Sequence, residues 1–321
     1  MARLLDQIIG HQAVIQQLQQ LRQLERWPHA LLFVGPSGIG KRKLAQAFAQ
    51  ILVCEQNGTG CGVCGACLRV VKGASESLMI LEPDEEAAKP VIKVESVREL
   101  LASLSLAAWG KARVVIIDQA QTLNQQASNA LLKTLEEPVE NVFFILIGED
   151  LKQFLPTIRS RVQVMRFSHL TAEELKLIKP LQPEWSYQSA RGRVDRLKDL
   201  TSEEGVQKRA EALLLFEEFC QVSDFLLFSD WKNTIKDRST AQFYVACWMQ
   251  IVRDLLVLKT NTQKFILNPD QMDRLKKLYE IKAERLLKLA QNLVVAERDL
   301  LSNAEPILVF ESLWVHYARV D

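Results

Sequence analysis

The chain has 321 residues, 48% of them apolar and 25% charged, which excludes disordered, collagen-like and membrane-embedded classes and allows two or three domains at about 150 residues each. Forty basic residues against 39 acidic ones leave a net charge of +1, so there is no global attraction to nucleic acid or anionic lipid, and any such contact has to be local. The first residues lack the apolar stretch of a signal peptide, and no window of about 18 uncharged apolar residues occurs, so we expect a cytoplasmic protein with no membrane partner.

Through residue 168, short aliphatic or β-branched runs alternate with amphipathic helical stretches, the pattern of a parallel sheet flanked by helices. Strands are expected over Ala30–Val34, Leu78–Leu81, Arg113–Ile117, Val142–Ile147 and Val162–Phe167. Between them, the helix expected over Lys43–Val53 puts Leu44, Ala47, Phe48, Ile51 and Leu52 on one face. A second helix over Gln125–Glu137 does the same with Ala127, Ala130, Leu131 and Leu135, with Asn124 as its cap and Pro138 ending it. From residue 169 the strand signal stops. Thr171-Ala172-Glu173-Glu174 reads as a capped helix start, opening a small helical segment, 169–204, broken at Pro180 and Pro183. The remainder, 205–321, is all-helical in pattern, with breaks near Asn233, Asn268-Pro269 and Asn303 to Pro306. Its stripe of Leu275, Leu278, Leu286, Leu289 and Leu293 fits a bundle core or a subunit interface.

Gly35-Pro36-Ser37-Gly38-Ile39-Gly40-Lys41 lies between a strand and a helix. Glycines there let the backbone wrap a phosphate chain, with amide hydrogens and a helix N-terminus facing its charge, while Lys41 adds a point charge. The full motif carries Ser or Thr next, to hold magnesium; here Arg42 stands in that position and cannot coordinate a cation. Binding of ATP and Mg2+ through Gly35, Gly38, Gly40, Lys41 and Asp118 therefore stays open beside a loop kept as a structural turn. Asp118 ends the aliphatic run Val114 to Ile117, where an ATPase places its magnesium-organising acid; the plainer reading is a solvated strand end. Gln119 follows where a second acid is usual, and it takes no proton near neutral pH, so hydrolysis looks impaired.

Cys54, Cys61, Cys64 and Cys67 lie within fourteen residues, with glycines at 58, 60, 62 and 65 that let the chain turn tightly. Four thiolates satisfy a closed tetrahedral site, so structural Zn2+ is expected, the alternative being unbound reduced thiols. Cys220 and Cys247 sit in apolar helical sequence and read as packing residues. Arg159 and Arg161, ahead of the last strand, fit either local salt bridges or arginines that reach a neighbouring subunit's phosphates.

Ile8-Ile9-Gly10-His11, Pro28 to Phe33 ahead of the phosphate loop, the four-cysteine insertion, Asn129-Ala130-Leu131-Leu132-Lys133-Thr134-Leu135-Glu136-Glu137-Pro138 and Thr157-Ile158-Arg159-Ser160-Arg161 together resemble the bacterial DNA polymerase III clamp-loader subunits of the AAA+ class, the delta-prime branch most closely. The likeness runs through Phe167; beyond it only helical character and length match. It implies an α/β AAA+ P-loop domain over 1–168 with a zinc module at 54–67, a helical lid domain over 169–204 and a helical collar over 205–321. It further implies a ring or spiral of subunits that opens a sliding clamp and sets it on primer–template DNA, with gamma/tau-like motor subunits and a delta subunit as partners.

In that family the arginine of a Ser-Arg-Cys motif reaches ATP on the adjacent motor subunit. This role falls on Arg161, positioned by Ser160, with Val162 replacing the cysteine. Gly148 stands where a motor subunit has Ser, Thr or Asn, and Asp195 where it carries an arginine toward its own nucleotide. The resemblance thus implies a non-hydrolysing member that donates an arginine finger in trans. An active ATP-hydrolysing motor subunit is the alternative, and a stand-alone zinc-stabilised nucleotide-binding module is a more distant one.

Overall fold

The apolar runs become the strands of a parallel sheet in the computed structural model: β1 (Ala30–Val34), β2 (Leu78–Leu81), β3 (Arg113–Ile117), β4 (Val142–Gly148) and β5 (Gln163–Arg166). The structure describes residues 3–23, 27–56, 58–84, 90–104, 111–221, 225–228, 230–235, 237–260 and 262–318. Among these the strand order is β2-β3-β4-β1-β5. β4 runs one residue beyond the expected strand, to Gly148, because Val34 pairs with it in register. β5 is shorter at both ends than expected, since it is an edge strand whose pairing to β1 covers only Gln163 to Arg166.

The chain parts into two compact units, Met1–Pro180 with Arg191–Asp195, and Leu181–Ala190 with Arg196–Asp321. In the first, the helices are α1 (Gln12–Gln23), α2 (Lys41–Val53), α3 (Gly65–Val71), α4 (Val94–Leu104), α5 (Gln125–Glu136), α6 (Pro156–Arg159) and α7 (Ala172–Ile178). Strand side chains alternate between two apolar clusters. Leu31, Phe33, Val114 and Ile116 pack with Leu44 and Phe48 of α2, while Leu32, Val34, Val115 and Ile117 pack with Val97 of α4 and Leu131 of α5. Both faces being covered is why β1, β4 and the body of β3 read as unbroken apolar runs rather than an alternation, whereas the edge strand β5 carries exposed Gln163 and Arg166 at its ends.

Local chemistry sets the helix ends. Asn124 Oδ1 accepts from the Ala127 amide at 2.7 Å, and Thr171 and Glu174 close a reciprocal capping box, as the sequence predicts. α2 begins at Lys41, two residues earlier than the amphipathic pattern shows, because Gly40 in the left-handed region (φ 97°) lets the phosphate loop run straight into it. Buried Arg113 donates to the carbonyls of Ser103 and Leu104 at 3.0 and 3.1 Å, satisfying the C-terminal end of α4.

The second unit is helical. It contains α8 (Glu184–Ser189), the bulk of α9 (Val194–Thr201), α10 (Glu203–Gln221), α11 (Phe225–Phe228), α12 (Trp231–Thr234), α13 (Arg238–Lys259), α14 (Met272–Lys277), α15 (Ala283–Leu301) and α16 (Pro306–Ala318). Its core is aromatic-rich: Phe216, Phe219 and Phe310 ring Trp248, whose indole N–H donates to the Ala212 carbonyl at 2.8 Å. The leucine stripe 275, 278, 286, 289 and 293 lies in this core, so it packs the bundle. α13 is long and apolar enough to cross a membrane by length and composition, but 67% of that apolar window is buried, as in the central helix of a bundle. Cys220 and Cys247 pack here, and burial pushes both thiols up to about 12.

Candidate functional site

The phosphate loop leaves the C-terminal end of β1, where Gly35 N donates to the Gly148 carbonyl at 3.3 Å, and turns into α2. With Asp118 at the end of β3 it borders a cleft of about 310 Å3 that also takes in Gln119, Gly148 and Glu149. The sequence-predicted residues Gly38, Gly40, Lys41 and Asp118 therefore meet at one place, at the carboxyl ends of the strands.

The groups that would serve a metal-bound nucleotide are engaged with the chain itself. Lys41 Nζ turns back on its own loop, donating to the carbonyls of Gly35 at 2.7 Å and Pro36 at 2.6 Å. Burial holds the Lys41 ammonium below its usual range, against the opposing pull of Glu149 and Asp118. Arg42 pairs with Glu82 through Nη2 and lies 3.4 Å from Asp118 Oδ2 through Nη1, while Asp118 Oδ1 accepts from the Gln119 amide at 2.9 Å. Gly148 has no side chain because the Phe154 ring fills the space: a Cβ there would lie 2.4 Å from it. Gly38, at φ 68°, is met by the Asp195 carboxylate, which would stand 1.8 Å from a Cβ, and its carbonyl accepts from the Val194 amide at 2.7 Å. Arg193 grips that carboxylate through two hydrogen bonds of 3.2 and 2.7 Å. A polyphosphate carried by Mg2+ does not fit this donor set, since the magnesium position holds a guanidinium and an acid packs against the loop.

Arg161 lies elsewhere. It precedes β5, which runs parallel to β1 with Leu31 opposite Gln163 and Val34 opposite Arg166. Arg161 is therefore at the amino end of the sheet and the phosphate loop at the carboxyl end, about 20 Å apart at 3.3 Å per residue. Its guanidinium donates to the Thr157 carbonyl at 2.7 Å and to Ser160 Oγ at 3.1 Å, and pairs with Glu136, the last residue of α5, at 2.5 Å. Ser160 Oγ in turn donates to the same Thr157 carbonyl at 3.1 Å. The side chain stays about a third exposed, at 32%.

The cysteine module follows α2 directly. The four Sγ atoms of Cys54, Cys61, Cys64 and Cys67 lie within 4.8 Å of one another, and Cys61 and Cys67 are 3.9 Å apart. Tetrahedral zinc with Zn–S bonds of about 2.3 Å needs S···S separations near 3.8 Å, so the donor set fits a metal ion held by all four thiolates. Amides of Cys61, Cys64 and Cys67 point at the sulfurs of Cys54, Cys61 and Cys64 at 3.4 to 3.5 Å, a wrap that favours anionic sulfur. Burial works against ionisation of Cys54 and is the largest single influence, but hydrogen bonds with the Cys61 and Gln56 backbone and the Cys67 and Cys61 thiols together outweigh it and bring the thiol down to about 6. Gln50, fully buried in α2, ties the module to the amino-terminal segment: its Oε1 accepts from the Leu4 amide at 2.9 Å and its Nε2 donates to the Cys67 carbonyl at 3.2 Å.

Three of these partners escaped the sequence reading. Glu82 follows the aliphatic strand β2 just as Asp118 follows β3, so the same signal was present. Gln50 carried none, and Glu136, although it stands in the 129–138 run, gave no sign of this pairing until the fold brings Arg161 to it, as it brings Leu4 and Cys67 to Gln50.

A parallel sheet with a glycine-rich loop between β1 and α2 and an acid ending β3 defines a P-loop α/β domain, here carrying a four-cysteine insertion. The chain belongs to the DNA polymerase III, delta subunit family, whose sequence profile matches residues 10–171. It is 43% identical over 136 residues to the DNA polymerase III subunit delta' of Pseudomonas aeruginosa, covering 41% of each chain. It is 36% identical over 172 residues to the subunit tau of Escherichia coli, covering 53% of this chain and 26% of that one. The chain thus spans less than half the length of either relative. A DNA polymerase III gamma subunit-related protein from Thermotoga maritima is similar in structure, with 18% identity, a TM-score of 0.46 and coverage of 94% and 99% of the two chains.

Proposed function

We propose that this chain is a delta-prime-like member of a DNA polymerase III clamp loader that does not hydrolyse ATP itself and donates Arg161 to a triphosphate held by a neighbouring gamma/tau-like motor subunit. The observation that carries this reading is the separation of Arg161 from the chain's own phosphate cleft by the length of the sheet: a phosphate that meets this guanidinium belongs to another subunit. The self-engaged cleft supports the absence of turnover, because neither Lys41 nor Asp118 is free of internal partners. Ser160 and Glu136 hold the guanidinium in place, and a zinc ion held by Cys54, Cys61, Cys64 and Cys67 stiffens the insertion. On this reading, 169–204 is a lid and 205–321 a collar that joins the delta and motor subunits. The assembly works in the cytoplasm, where it opens a sliding clamp and sets it on primer–template DNA.

The test is ATP turnover by the complex reconstituted with motor and delta subunits. Arg161→Ala should slow it by about 10³-fold or more, the range for arginine fingers, equivalent to about 4 kcal/mol of barrier. The Arg161–Glu136 pair is partly exposed, 32% and 49%, so its loss costs the fold no more than about 1 kcal/mol and the variant stays folded. Unchanged turnover would reject the reading. The retained Lys41 and Asp118 at the cleft favour the rival, a hydrolysing motor subunit. Magnesium-dependent ATPase of the purified chain, abolished by Lys41→Ala, would establish that rival.

A further inference from the structure

We propose that Arg42 is the built-in cation of the phosphate cleft, replacing the divalent metal, so that any nucleotide the cleft takes up is bound without Mg2+. The inference deepens the reading of a non-hydrolysing chain and rests on it for the identity of the cleft. Arg42 occupies the first turn of α2, directly after the loop lysine, where a metal-binding hydroxyl would stand. Its side chain does more than remove that hydroxyl. β2 and β3 are neighbours with Leu81 paired to Ile117, so the next residues, Glu82 and Asp118, project two carboxylates from adjacent strand ends. The guanidinium bridges them, one terminal nitrogen paired with Glu82 and the other 3.4 Å from Asp118.

A planar fork with nitrogens on both arms suits two acids at once, which a lysine ammonium on one flexible stem does not match. A divalent cation ligated by Asp118 would have to displace this fork and would then lie beside a positive charge it cannot ligate. Lys41 is turned onto the carbonyls of Gly35 and Pro36, so the loop's other positive charge is also satisfied without a ligand. Residues 40 and 76 positions apart from Arg42 in sequence thus complete one closed ion cluster in the metal's stead.

The experiment is titration of a fluorescent N-methylanthraniloyl ATP onto the full-length chain, in Mg2+ and in EDTA, followed by anisotropy. The wild type should bind at least about tenfold more weakly in Mg2+ than in EDTA, because Mg2+ competes with the cleft for the same phosphates; binding in neither overturns the proposal, since Arg42 then serves no nucleotide. Arg42→Thr restores a hydroxyl and frees both acids; it should bind at least about tenfold more tightly in Mg2+ than in EDTA, and Arg42→Thr/Asp118→Asn should lose that gain. Wild-type binding as tight in Mg2+ as in EDTA, or tighter, overturns the proposal, as does an Arg42→Thr chain that melts like the wild type yet gains no metal dependence. Mn2+ paramagnetic resonance gives a readout that needs no variant: a free-ion signal no lower with wild type and nucleotide than with nucleotide alone supports the proposal, and a further loss stoichiometric with added protein overturns it. A wild type that binds Mg2+–nucleotide without turning it over sinks this inference and leaves the trans role of Arg161 standing. An Arg161→Ala complex of normal rate does the reverse.

Discussion

Replacing Gln50 by leucine should destabilise the sheet-bearing unit by about 2–3 kcal/mol and loosen the cysteine module with it. The side chain is fully buried and spends its amide on two backbone partners from distant segments, the Leu4 N–H at 2.9 Å and the Cys67 carbonyl at 3.2 Å. Leucine has a similar volume but neither donates nor accepts, so both partners are orphaned at about 1–3 kcal/mol each. The added apolar burial returns about 1–2 kcal/mol, and Leu4 is only partly buried, which keeps its share at the low end. Because the chain has two units, a single unfolding curve mixes their stabilities, and the readout should be local. Hydrogen exchange of the β1 and α2 amides across a urea series reports the sheet unit, and metal content after dialysis reports the module. A loss below about 0.5 kcal/mol together with normal metal retention would refute the reasoning that this amide is the tie between the amino-terminal segment and the cysteines.

Two further outcomes follow from the same geometry. Metal analysis of protein purified without chelator should find zinc, and its removal should raise hydrogen exchange across 54–71 before the β1 and β3 amides lose protection, because thiolate ligation contributes to local folding while the sheet has its own core on both faces. An absence of zinc, or simultaneous loss of all protection, would count against the module as drawn. In the helical unit, burial raises the Asp270 carboxyl, but the Arg209 hydrogen bonds at 2.7 and 3.1 Å, the Gln271 hydrogen bond and the Arg209 charge together outweigh it and leave its pKa below the usual carboxylate value. Its contribution to stability is therefore complete above the unfolded pKa of about 3.9 and is lost as pH falls through the lower folded value. Asp270→Asn should flatten that acid limb in a pH series of thermal melts, and an unchanged limb would show that the pair carries no such linkage.

Much of the first unit is legible in the sequence because its signals are local. Three strands, Ala30–Val34, Leu78–Leu81 and Arg113–Ile117, stand where their aliphatic runs lie, since runs buried on both faces need no partner to be recognised. Asn124 and Thr171 cap as their types and spacing require, because a cap bond closes within three residues. The ends of β4 and β5 were less legible: they depend on what the neighbouring strand offers, and the edge position of β5 cuts its ladder short. The roles of Glu82, Glu136 and Gln50 were illegible for the same reason, since each is defined by a partner brought to it by the fold.

By itself the sequence determined the chemistry on hand: a glycine-rich loop without its metal-binding hydroxyl, an acid at a strand end, four cysteines spaced for one ion, and a Ser-Arg pair ahead of the last strand. Tertiary structure alone decided how those groups are used. Parallel pairing of β2 with β3 puts Glu82 level with Asp118 and gives Arg42 two acids to bridge, and parallel pairing of β1 with β5 sends Arg161 to the far end of the sheet from the loop. The physical reason is range: turns, caps and periodicity are settled among residues a few positions apart, whereas the charge around a cleft is summed over side chains that only strand order and register bring together.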